Sequence, residues 1–293
     1  MQLSFMSIDP NSQLRRSVAS MSRFHWEFLV WRTRIILSAR ILLKAPIVYR
    51  NWIYFIFSRL GRKPGLLHLR NGLTFKIRPD SSDRSTISEV VILKTYPLDL
   101  KPGNIVVDVG ANIGAFAITA ATIVKHGTVF AIEPVSSIYD VLSENVRLNN
   151  LDNILLSNIA LDASEGEQPM SVSGSSSSLY WGQNGETEVV RTTTLEKFMS
   201  AHHLDRIDYL KMDCEGAEFD ILYSAGDHVL KRVRRIALEY HNRSSNKNAL
   251  ELKCVLEAAG FHVQIDGGSW NGSMIATAEA PTRLFPSSLR CTY

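Results

Sequence analysis

The residues with the clearest chemical potential lie in one short turn, where Asp108, Gly110, Asn112 and Gly114 occupy alternate positions. A β-branched run precedes this turn and an apolar run follows it, which predicts a buried strand, a tight turn and a helix N-terminus. Such a turn presents backbone N–H groups to a nucleotide-like ligand. The spacing differs from the Gly-x-Gly-x-x-Gly of dinucleotide dehydrogenases, and an acid just before the first glycine would repel a pyrophosphate.

A ligand that carries an amine, a sulfonium and hydroxyl groups suits this turn better than a pyrophosphate does. S-adenosylmethionine is such a ligand, and it is the cofactor that the turn predicts. The residues predicted to hold its methionine end are Asp108, Gly110, Ala111, Asn112 and Gly114. The turn therefore favours a methyltransferase.

Two further positions that fit this cofactor follow the next predicted strands. Glu133 ends the second strand, nineteen residues after the last glycine of the turn. This is close to the spacing at which an acid accepts hydrogen bonds from both ribose hydroxyls. At the end of the third strand, Asn158 and Asp162 are candidates to bond the exocyclic amine of adenine, with Ala160 and Leu161 packed on the ring. A plain turn residue is an equally good interpretation of Asn158 or Asp162.

A second group of ionisable side chains follows the fourth and fifth strands. Asp213, with Glu239 or His241, is predicted to take the proton of a substrate hydroxyl, provided that neighbours bring the pKa of the base toward neutrality. Glu215 is predicted to bind the substrate. Divalent-cation binding by the carboxylates is an alternative, although we predict no metal. Glu218 fits the first turn of a helix, and a lone histidine at a strand end is more often structural.

Alternating strands and helices must position these residues. The predicted strands cover 105–109, 128–133, 154–160, 207–213, 234–240, 261–265 and 273–278, and the predicted helices cover 114–125, 136–148, 193–202, 216–225 and 246–259. This alternation predicts an α/β fold with a mostly parallel sheet, helices on both faces and ligands at the carboxyl ends of the strands. Loop residues alone join the last two strands, so we expect the final strand to be antiparallel.

Three local patterns lie around this core. Alternating apolar residues on both sides of Asn71-Gly72 predict a β-hairpin over 66–77 with a tight primed turn. Ser85 is the predicted cap of a helix that extends to Tyr96. The serine-rich run 171–178 predicts a mobile excursion between the third and fourth strands.

The N-terminal part differs from the rest of the chain in its charge. The 293 residues carry a net charge of +3, but residues 1–64 hold eleven Lys and Arg against two acids. The remainder holds 21 basic and 27 acidic residues. We expect a disordered leader over 1–22, a basic and aromatic helical extension over 23–64, and the catalytic domain over 65–293. Pro46 is expected to divide the extension into two helices.

Two interpretations of residues 24–60 stay open. No window there reaches 18 uninterrupted apolar residues, so a membrane-spanning helix is not expected. Aromatic and basic helices can lie in a membrane interface, where each nearby Lys or Arg adds about 1 kcal/mol on an anionic leaflet. The alternative is a helical cap that packs on the domain and leaves its arginines solvated.

Composition gives information on the cellular location of the protein and on its binding partners. The cysteines, Cys214, Cys254 and Cys291, are far apart and lack metal-ligand spacing, which indicates reduced thiols. Reduced thiols predict a cytoplasmic protein. Peripheral contact with the inner membrane face is the open alternative. The first 22 residues are polar, so no secretory signal is expected. Nucleic acid is not expected as a partner, because the catalytic part is mildly acidic and no Asp-Pro-Pro-Tyr-like motif follows the fourth strand.

Four segments, in this order and spacing, resemble the FkbM family of S-adenosylmethionine-dependent methyltransferases: 107–114, 132–134, 211–218 and 238–241. The resemblance covers about residues 66–280, and the combination of the Gly-Ala-Asn-Ile-Gly turn with the Asp-x-Glu-Gly-Ala-Glu segment is specific. It implies a Rossmann-like class I methyltransferase fold with a seven-stranded sheet. It also implies O-methylation of hydroxyls, often on sugars or polyketide-like natural products, without fixing the acceptor.

These observations predict an S-adenosylmethionine-dependent O-methyltransferase. Its acceptor would be a hydroxyl of a small molecule, a sugar or glycan, or a lipid-linked compound. The alternative from another class is a non-catalytic S-adenosylmethionine-binding or scaffold protein that retains the fold. A nicotinamide-dependent dehydrogenase is disfavoured by the glycine spacing.

Overall fold

The computed structural model describes residues 36–61, 64–172, 177–178, 186–242, 247–268 and 271–278. The predicted leader over 1–22, part of the predicted excursion over 171–178, and Cys291 lie outside these residues. Within them, Cys214 and Cys254 form no disulfide.

Two helices and a hairpin precede the central sheet: α1 (residues 36–48), α2 (Trp52–Gly61), β1 (Gly65–His68) and β2 (Thr74–Ile77). Ile41, Ala45, Tyr49 and Phe55 are buried in the same apolar cluster as the sheet, so one face of this extension packs on the domain. No helix among the described residues is long and apolar enough to cross a membrane.

The prediction that Pro46 separates two helices is wrong. Residues 36–48 form one helix that includes Pro46, and the chain leaves it at Tyr49. A proline in the last turn removes only one backbone hydrogen bond, and few residues follow in which the distortion can spread. The Pro46 carbonyl oxygen also accepts a hydrogen bond of 2.9 Å from Arg70 Nε, which helps to hold the helix end on the hairpin.

The hairpin prediction is confirmed, but its loop is longer than predicted. β1 and β2 pair antiparallel, with Leu67 opposite Phe75 and His68 opposite Thr74. Leu69 N–H donates to Leu73 O at 2.8 Å, so three residues form the loop instead of two. Gly72, at φ 97°, supplies the left-handed conformation that such a loop needs after its turn.

The helix predicted from Ser85 to Tyr96 begins earlier and ends earlier. α3 (Asp83–Ser88) starts at Asp83 and passes into a π-helical turn over Glu89–Leu93. Lys94 ends it in the left-handed conformation, at φ 57°. Ser85 is therefore an internal helix residue and not a cap.

A seven-stranded sheet forms the centre of the molecule. Its strands, in spatial order, are β12 (Phe261–Gly267), β13 (Asn271–Ala278), β11 (Arg235–His241), β10 (Tyr209–Met212), β3 (Ile105–Val109), β4 (Thr128–Ile132) and β5 (Ile154–Ser157). Neighbouring strands from β11 to β5 are parallel, whereas β13 is antiparallel to both β11 and β12. The predicted mostly parallel sheet with an antiparallel final strand is confirmed.

Helices cover both faces of this sheet, as predicted: α4 (Ala115–Val124), α5 (Ser136–Leu148), α6 (Leu195–Ala201), α7 (Glu218–Leu230) and α8 (Ala249–Ala258). Successive strand residues point to opposite faces. Val106 accordingly belongs to the apolar cluster with α4 and α5, and Val107 to the cluster with α6, α7 and α8. The sheet is Rossmann-like, with its apolar strands buried on both sides.

A second, smaller sheet was not predicted. It consists of β6 (Ala160–Leu161), β7 (Gly166–Val172), β8 (Ser177–Ser178) and β9 (Glu186–Thr193), in the spatial order β6, β9, β7, β8. The described ends of the serine-rich run, at 171–172 and 177–178, pair with each other as strands. The excursion is therefore anchored in a sheet at both described ends.

Candidate active site

One cavity of about 250 Å³ opens at the carboxyl ends of β3, β4, β10 and β11, where ligands bind in sheets of this kind. Residues of α3, of the turn after β3 and of the ends of the other strands line it. Among the predicted site residues, those that line the cavity are Gly110, Ala111, Asn112, Glu133, Asp213, Glu215, Glu239 and His241.

The turn after β3 is held against the neighbouring strand end. Gly110 has φ 73°, and a Cβ at this position would lie 2.0 Å from the Asp213 carbonyl oxygen. Gly114 has φ 88°, and its Cβ would lie 2.6 Å from Leu142 Cδ1. Only glycine satisfies both the positive φ and the close contact, so these two residues set the shape of the turn.

The turn does not present free N–H groups, and that prediction is wrong. All five N–H groups from residue 110 to residue 114 donate within the protein. Gly110 and Ala111 bond the Ile132 carbonyl oxygen at 3.0 and 2.9 Å, and Asn112 bonds Glu133 Oε2 at 2.9 Å. The remaining two bond Asn112 Oδ1 and Ala111 O. The turn therefore shapes the cavity and orients Glu133, and its N–H groups are already engaged.

Asp108 is also placed differently from the prediction. It is fully buried, it is not among the residues that line the cavity, and its Oδ1 lies 3.0 Å from Lys211 Nζ. The two residues are register partners on the parallel strands β3 and β10, which puts both side chains on one face of the sheet. Lys211 Nζ also donates to Gly110 O at 2.9 Å. Asp108 therefore supports the turn through Lys211, and its predicted contact with the methionine end of the cofactor stays a prediction.

Glu133 lies in the cavity wall with only 5% of its surface exposed. Its Oε2 accepts from Asn112 N–H at 2.9 Å and its Oε1 accepts from Val135 N–H at 3.0 Å. Burial raises the pKa of Glu133 to about 7, although the two N–H groups oppose the change. Each oxygen retains a further lone pair, so the carboxylate is held in a fixed orientation and can still accept hydrogen bonds from a diol.

Neither predicted adenine ligand lines the cavity. The Asn158 side-chain amide donates to the backbone oxygens of Glu133 and Pro134 at 2.9 and 2.8 Å, which also ends β5 at Ser157. Asp162 is buried and accepts from Ala163 N–H at 2.8 Å. Both side chains stabilise local turns. The wall at this point is apolar and consists of Ile138, Ile159, Ala160, Leu161 and Met170.

A group of acids lines the other end of the cavity. Asp213, Glu215 and Glu239 come from the ends of β10 and β11, as predicted, and Glu89 comes from the π-helical turn after α3. Tyr96 donates its hydroxyl to Asp213 Oδ2 at 3.0 Å. Burial, followed by the Asp213 charge, raises the pKa of Tyr96 well above its usual value, so the phenol stays protonated.

His241 lies among three carboxylates. Its Nε2 is 3.5 Å from Glu215 Oε2 and 3.8 Å from Glu239 Oε1, and its Nδ1 is 3.5 Å from Glu218 Oε1. Burial lowers the pKa of His241, but the carboxylates, Glu218 first, outweigh burial and raise it to about 9. The imidazole is thus a cation at neutral pH.

Glu239 differs from His241 in that its pKa lies near neutrality. Burial, and then the Asp213 charge, raise its pKa to about 7, while the His241 charge opposes this change. A carboxylate with a pKa near neutrality is a stronger base than an ordinary one and is still largely ionised above pH 7. Glu239 therefore has a pKa suited to accepting the proton, whereas His241 is already protonated at neutral pH.

Glu218 has the structural role that its position predicted. It is fully buried at the start of α7, where Oε1 accepts from Cys214 N–H and Oε2 accepts from Gly216 N–H, both at 2.9 Å. These bonds hold the loop that carries Glu215, which has φ 52°. Among the described residues, no group of three or more His, Cys, Asp or Glu is arranged to hold a metal ion.

Sequence reasoning missed four charged or phenolic side chains of this cavity lining: Arg78, Glu89, Tyr96 and Lys211. Arg78 Nη2 bonds Asp83 Oδ1 at 2.6 Å and Asn112 Oδ1 at 3.2 Å, which ties α3 to the turn. Lys211 offered a signal, because it is the one charged residue in an apolar strand next to the strand that contains Asp108. The other three lie in segments whose distance from the sheet cannot be read from local spacing.

This combination of a doubly wound sheet and a cavity at its carboxyl edge is a Rossmann-like architecture with the cavity in the usual ligand position. The family model described as the methyltransferase FkbM domain matches residues 108–264, more than half of the chain, and the chain belongs to this family. The chain is therefore a methyltransferase, and S-adenosylmethionine is its cofactor.

Two curated relatives carry methyltransferase names. The chain is 29% identical to methyltransferase sdnD of Sordaria araneosa over 60% of this chain and 80% of the relative. It is 24% identical to methyltransferase 1 of Beauveria bassiana over 62% and 82%. A solved precorrin-6y C5,15-methyltransferase of Geobacter metallireducens covers 65% of this chain and 87% of its own, at 14% identity and a TM-score of 0.42. That likeness is too weak to inform substrate or mechanism.

The cavity residues fit S-adenosylmethionine on two observations. Glu133 is a buried acid whose two oxygens each retain a lone pair for a ribose hydroxyl. The apolar wall beside it, which includes Ile138, Leu161 and Met170, is suited to an adenine ring. Glu133 thus stays a predicted ribose ligand, and the predicted packing of Ala160 and Leu161 on the adenine ring stays a prediction with which their place in the lining is consistent.

Proposed function

We propose that this methyltransferase acts on a hydroxyl group, carried by a small molecule, a sugar or glycan, or a lipid-linked acceptor. The observation that carries the proposal is the position of Glu239, a carboxylate with a pKa of about 7 in the cavity wall. An alcohol must lose its proton as it accepts a methyl group, and a carboxylate of this pKa can accept that proton in the transition state.

The cofactor supplies an electrophilic methyl group on a sulfonium when it is bound. Glu133 would orient the ribose, because its carboxylate is fixed by the N–H groups of Asn112 and Val135. The apolar wall would exclude water from the adenine side. Methyl transfer is an in-line displacement, so much of the rate should come from holding the acceptor oxygen in line with the methyl group.

The ionisable side chains at the other end of the cavity would have different roles toward the acceptor. Glu239 would accept the proton from the hydroxyl, and the His241 cation would keep Glu239 ionised until the transfer. Asp213 accepts a hydrogen bond from Tyr96 and would accept a second from a neighbouring hydroxyl of the substrate. Glu215 would bind the substrate in the same way. Several acceptors of hydrogen bonds around one space suit a polyhydroxylated compound better than a phosphorylated one.

A labelling experiment tests this proposal. The full chain is incubated with S-adenosylmethionine that carries an isotopically labelled methyl group and with a metabolite and glycan extract, and mass spectrometry locates the label. We expect a methyl ether, and we expect the Glu239→Gln variant to give far less product. Label on nitrogen or carbon would overturn the hydroxyl assignment. Calorimetric binding of S-adenosylmethionine without any labelled product from extracts of broad coverage would favour the non-catalytic alternative.

A further inference from the structure

The outer faces of α1 and α2 display apolar side chains that the fold does not cover. On α1, Leu43 is 77% exposed and Ile47 is 71% exposed, and Ile36 is exposed in the same stripe. On α2, Phe57 is 66% exposed and Ile53 lies one turn before it. Spacings of four and seven residues put each set on one side of its helix.

The opposite faces of the same helices are packed. Ile41 and Ala45 on α1, and Phe55 on α2, are buried against the domain. Tyr49, between the helices, stacks on Phe55 with ring centroids 4.4 Å apart. The exposed stripes are therefore held outward by a fixed structure, and exposed apolar areas of this kind commonly mark an interaction surface.

The charge around these faces indicates which partner covers them. Residues 28–79 contain eleven Lys and Arg and not a single Asp or Glu. Arg40 is exposed between Ile36 and Leu43 on α1, and Lys44 and Arg50 are exposed beside it. A symmetric contact with a second copy would bring the same positive charge against this face, and like charges repel. An anionic lipid surface matches both the apolar stripes and the positive charge.

We propose that the outer faces of α1 and α2 bind the interface of an anionic membrane. The helices lie in the membrane plane, with Leu43, Ile47 and Phe57 inserted among the acyl chains near the headgroups and with Arg40 and Lys44 on lipid phosphates. Over the residues that the structure describes, neither helix is long and apolar enough to span the bilayer, and interfacial binding needs neither length nor continuous apolar sequence.

The packing of these helices links the membrane surface to the cavity. Tyr49 Oη lies 3.0 Å from Ser88 Oγ, and Arg84 Nε donates to Ser58 Oγ at 2.9 Å. These bonds fix α1 and α2 to α3, which forms part of the cavity wall. As far as the proposed function holds, membrane docking favours the lipid-linked acceptor among the three acceptor classes. Docking itself does not depend on the reaction.

Vesicle flotation of the full chain tests the docking surface. The vesicles are phosphatidylcholine alone or phosphatidylcholine with about a third of phosphatidylserine, a mixture that carries a negative surface potential. We expect binding to the anionic vesicles and much weaker binding to the neutral ones, with a decrease as salt screens the attraction. Absence of binding to the anionic vesicles, or equal binding to both, would overturn the proposal.

Matched variants identify the surface. Leu43→Gln with Ile47→Gln should weaken the vesicle partition coefficient about tenfold or more through lost apolar insertion. Arg40→Gln with Lys44→Gln should weaken it about 30-fold, at roughly fivefold for each charge. The controls are Leu250→Gln, on a helix residue that is also 71% exposed, and Lys231→Gln with Lys253→Gln. Wild-type binding by the α1 variants would overturn the assignment.

Two further measurements separate this proposal from its competitors. Sedimentation without lipid detects self-association, and a dimer that Leu43→Gln with Ile47→Gln abolishes would show that a second copy covers the face. Calorimetry with S-adenosylmethionine reports the cavity independently. Cofactor binding without flotation would reject the docking surface and leave the proposed function standing. Flotation without any methyl transfer to hydroxyls would reject the proposed function and leave the docking surface standing.

Discussion

The two ends of the cavity hold their acids in different ways. At the cofactor end, Glu133 accepts one backbone N–H on each oxygen, and the turn that supplies one of them is itself fully hydrogen-bonded. At the acceptor end, Glu215, Glu239 and His241 are held by ion pairs of 3.5 to 3.8 Å. The first end is fixed by backbone geometry, and the second is set by a balance of charges.

This difference matches the tasks of the two ends. A cofactor that is the same in every turnover benefits from a rigid partner, because no binding energy is then spent on ordering the site. A proton acceptor must change its charge during the reaction, and a cluster of coupled acids and one histidine tunes the pKa for that purpose. Substitutions should therefore affect affinity at the first end and rate or pH dependence at the second.

The largest effect is expected on stability, when the buried pair of Asp108 and Lys211 is broken. Lys211→Met removes the cation 3.0 Å from Asp108 and leaves a fully buried carboxylate without its partner. Such a loss costs about 4 kcal/mol, and chemical denaturation should show it as a lower free energy of unfolding. Burial lowers the pKa of Lys211, but the Asp108 and Asp213 charges outweigh burial and keep the amine protonated.

A double variant sharpens this prediction. Asp108→Leu combined with Lys211→Met replaces the pair by apolar side chains and should recover most of the lost stability, since buried pairs often contribute little net free energy. If Lys211→Met alone costs less than about 1 kcal/mol, the pair behaves like an exposed one and does not support the turn.

The next effect concerns the rate. Glu239→Gln removes the proposed proton acceptor while retaining the side-chain shape, so the rate of methyl transfer to the labelled acceptor should fall about 100- to 1,000-fold. The dissociation constant for S-adenosylmethionine, measured by calorimetry, should stay within about threefold because Glu239 is assigned to the other end. Glu251→Gln, on the surface of α8, is the matched control. If the Glu239→Gln variant keeps full activity and the Asp213→Asn variant is inactive, the base is Asp213 and not Glu239.

A smaller effect is expected at the cofactor end. Glu133→Gln replaces one acceptor oxygen by an amide donor that faces either the Asn112 or the Val135 N–H group. We expect the dissociation constant for S-adenosylmethionine to rise about 30-fold, the value of a lost hydrogen bond to a charged group. Asp162→Asn should change it less than about twofold, since Asp162 does not line the cavity. Equal effects of the two variants would contradict this assignment.

The fold was largely predictable because it depends on local signals. The apolar runs at β3 and β4 and the pattern of α5 predicted their elements within a residue, since strands buried on both faces cannot contain polar residues without a partner. The second small sheet was not predictable in the same way. β7 and β9 are separated by a serine-rich segment, and pairing across it depends on contacts that local periodicity does not reveal.

The sequence predicted which residues lie near the cavity better than it predicted the contacts of their side chains. Strand ends converge at one edge of a parallel sheet, so the sequence order placed Glu133, Asp213, Glu239 and His241 together. The direction of each side chain was not predictable from that argument. Asp108 was assigned to the cofactor because it precedes the turn, but strand alternation and register put it beside Lys211. Asn158 likewise lies outside the cavity lining, because its amide N–H groups bond the Glu133 and Pro134 carbonyl oxygens and fix the side chain in the local turn.

The smallest expected effect tests the charge balance at the acceptor end. The rate should rise with pH through about 7, as Glu239 loses its proton. The His241 charge lowers the pKa of Glu239, so His241→Asn should move this rise about one pH unit upward. Initial rates measured across the pH range at low acceptor concentration give the position of the rise in both proteins.

Stability provides an independent measure of the same charge. The pKa of His241 is raised to about 9 in the folded protein, above its ordinary value of 6.5. Its stabilising charge is therefore fully present below about pH 6.5 and is lost as the pH rises through about 9. His241→Asn should cost more stability near about pH 6 than near about pH 10, in paired denaturation experiments. A cost that does not change with pH, together with an unshifted rate profile, would show that His241 acts by packing alone and that the acceptor end is as rigid as the cofactor end.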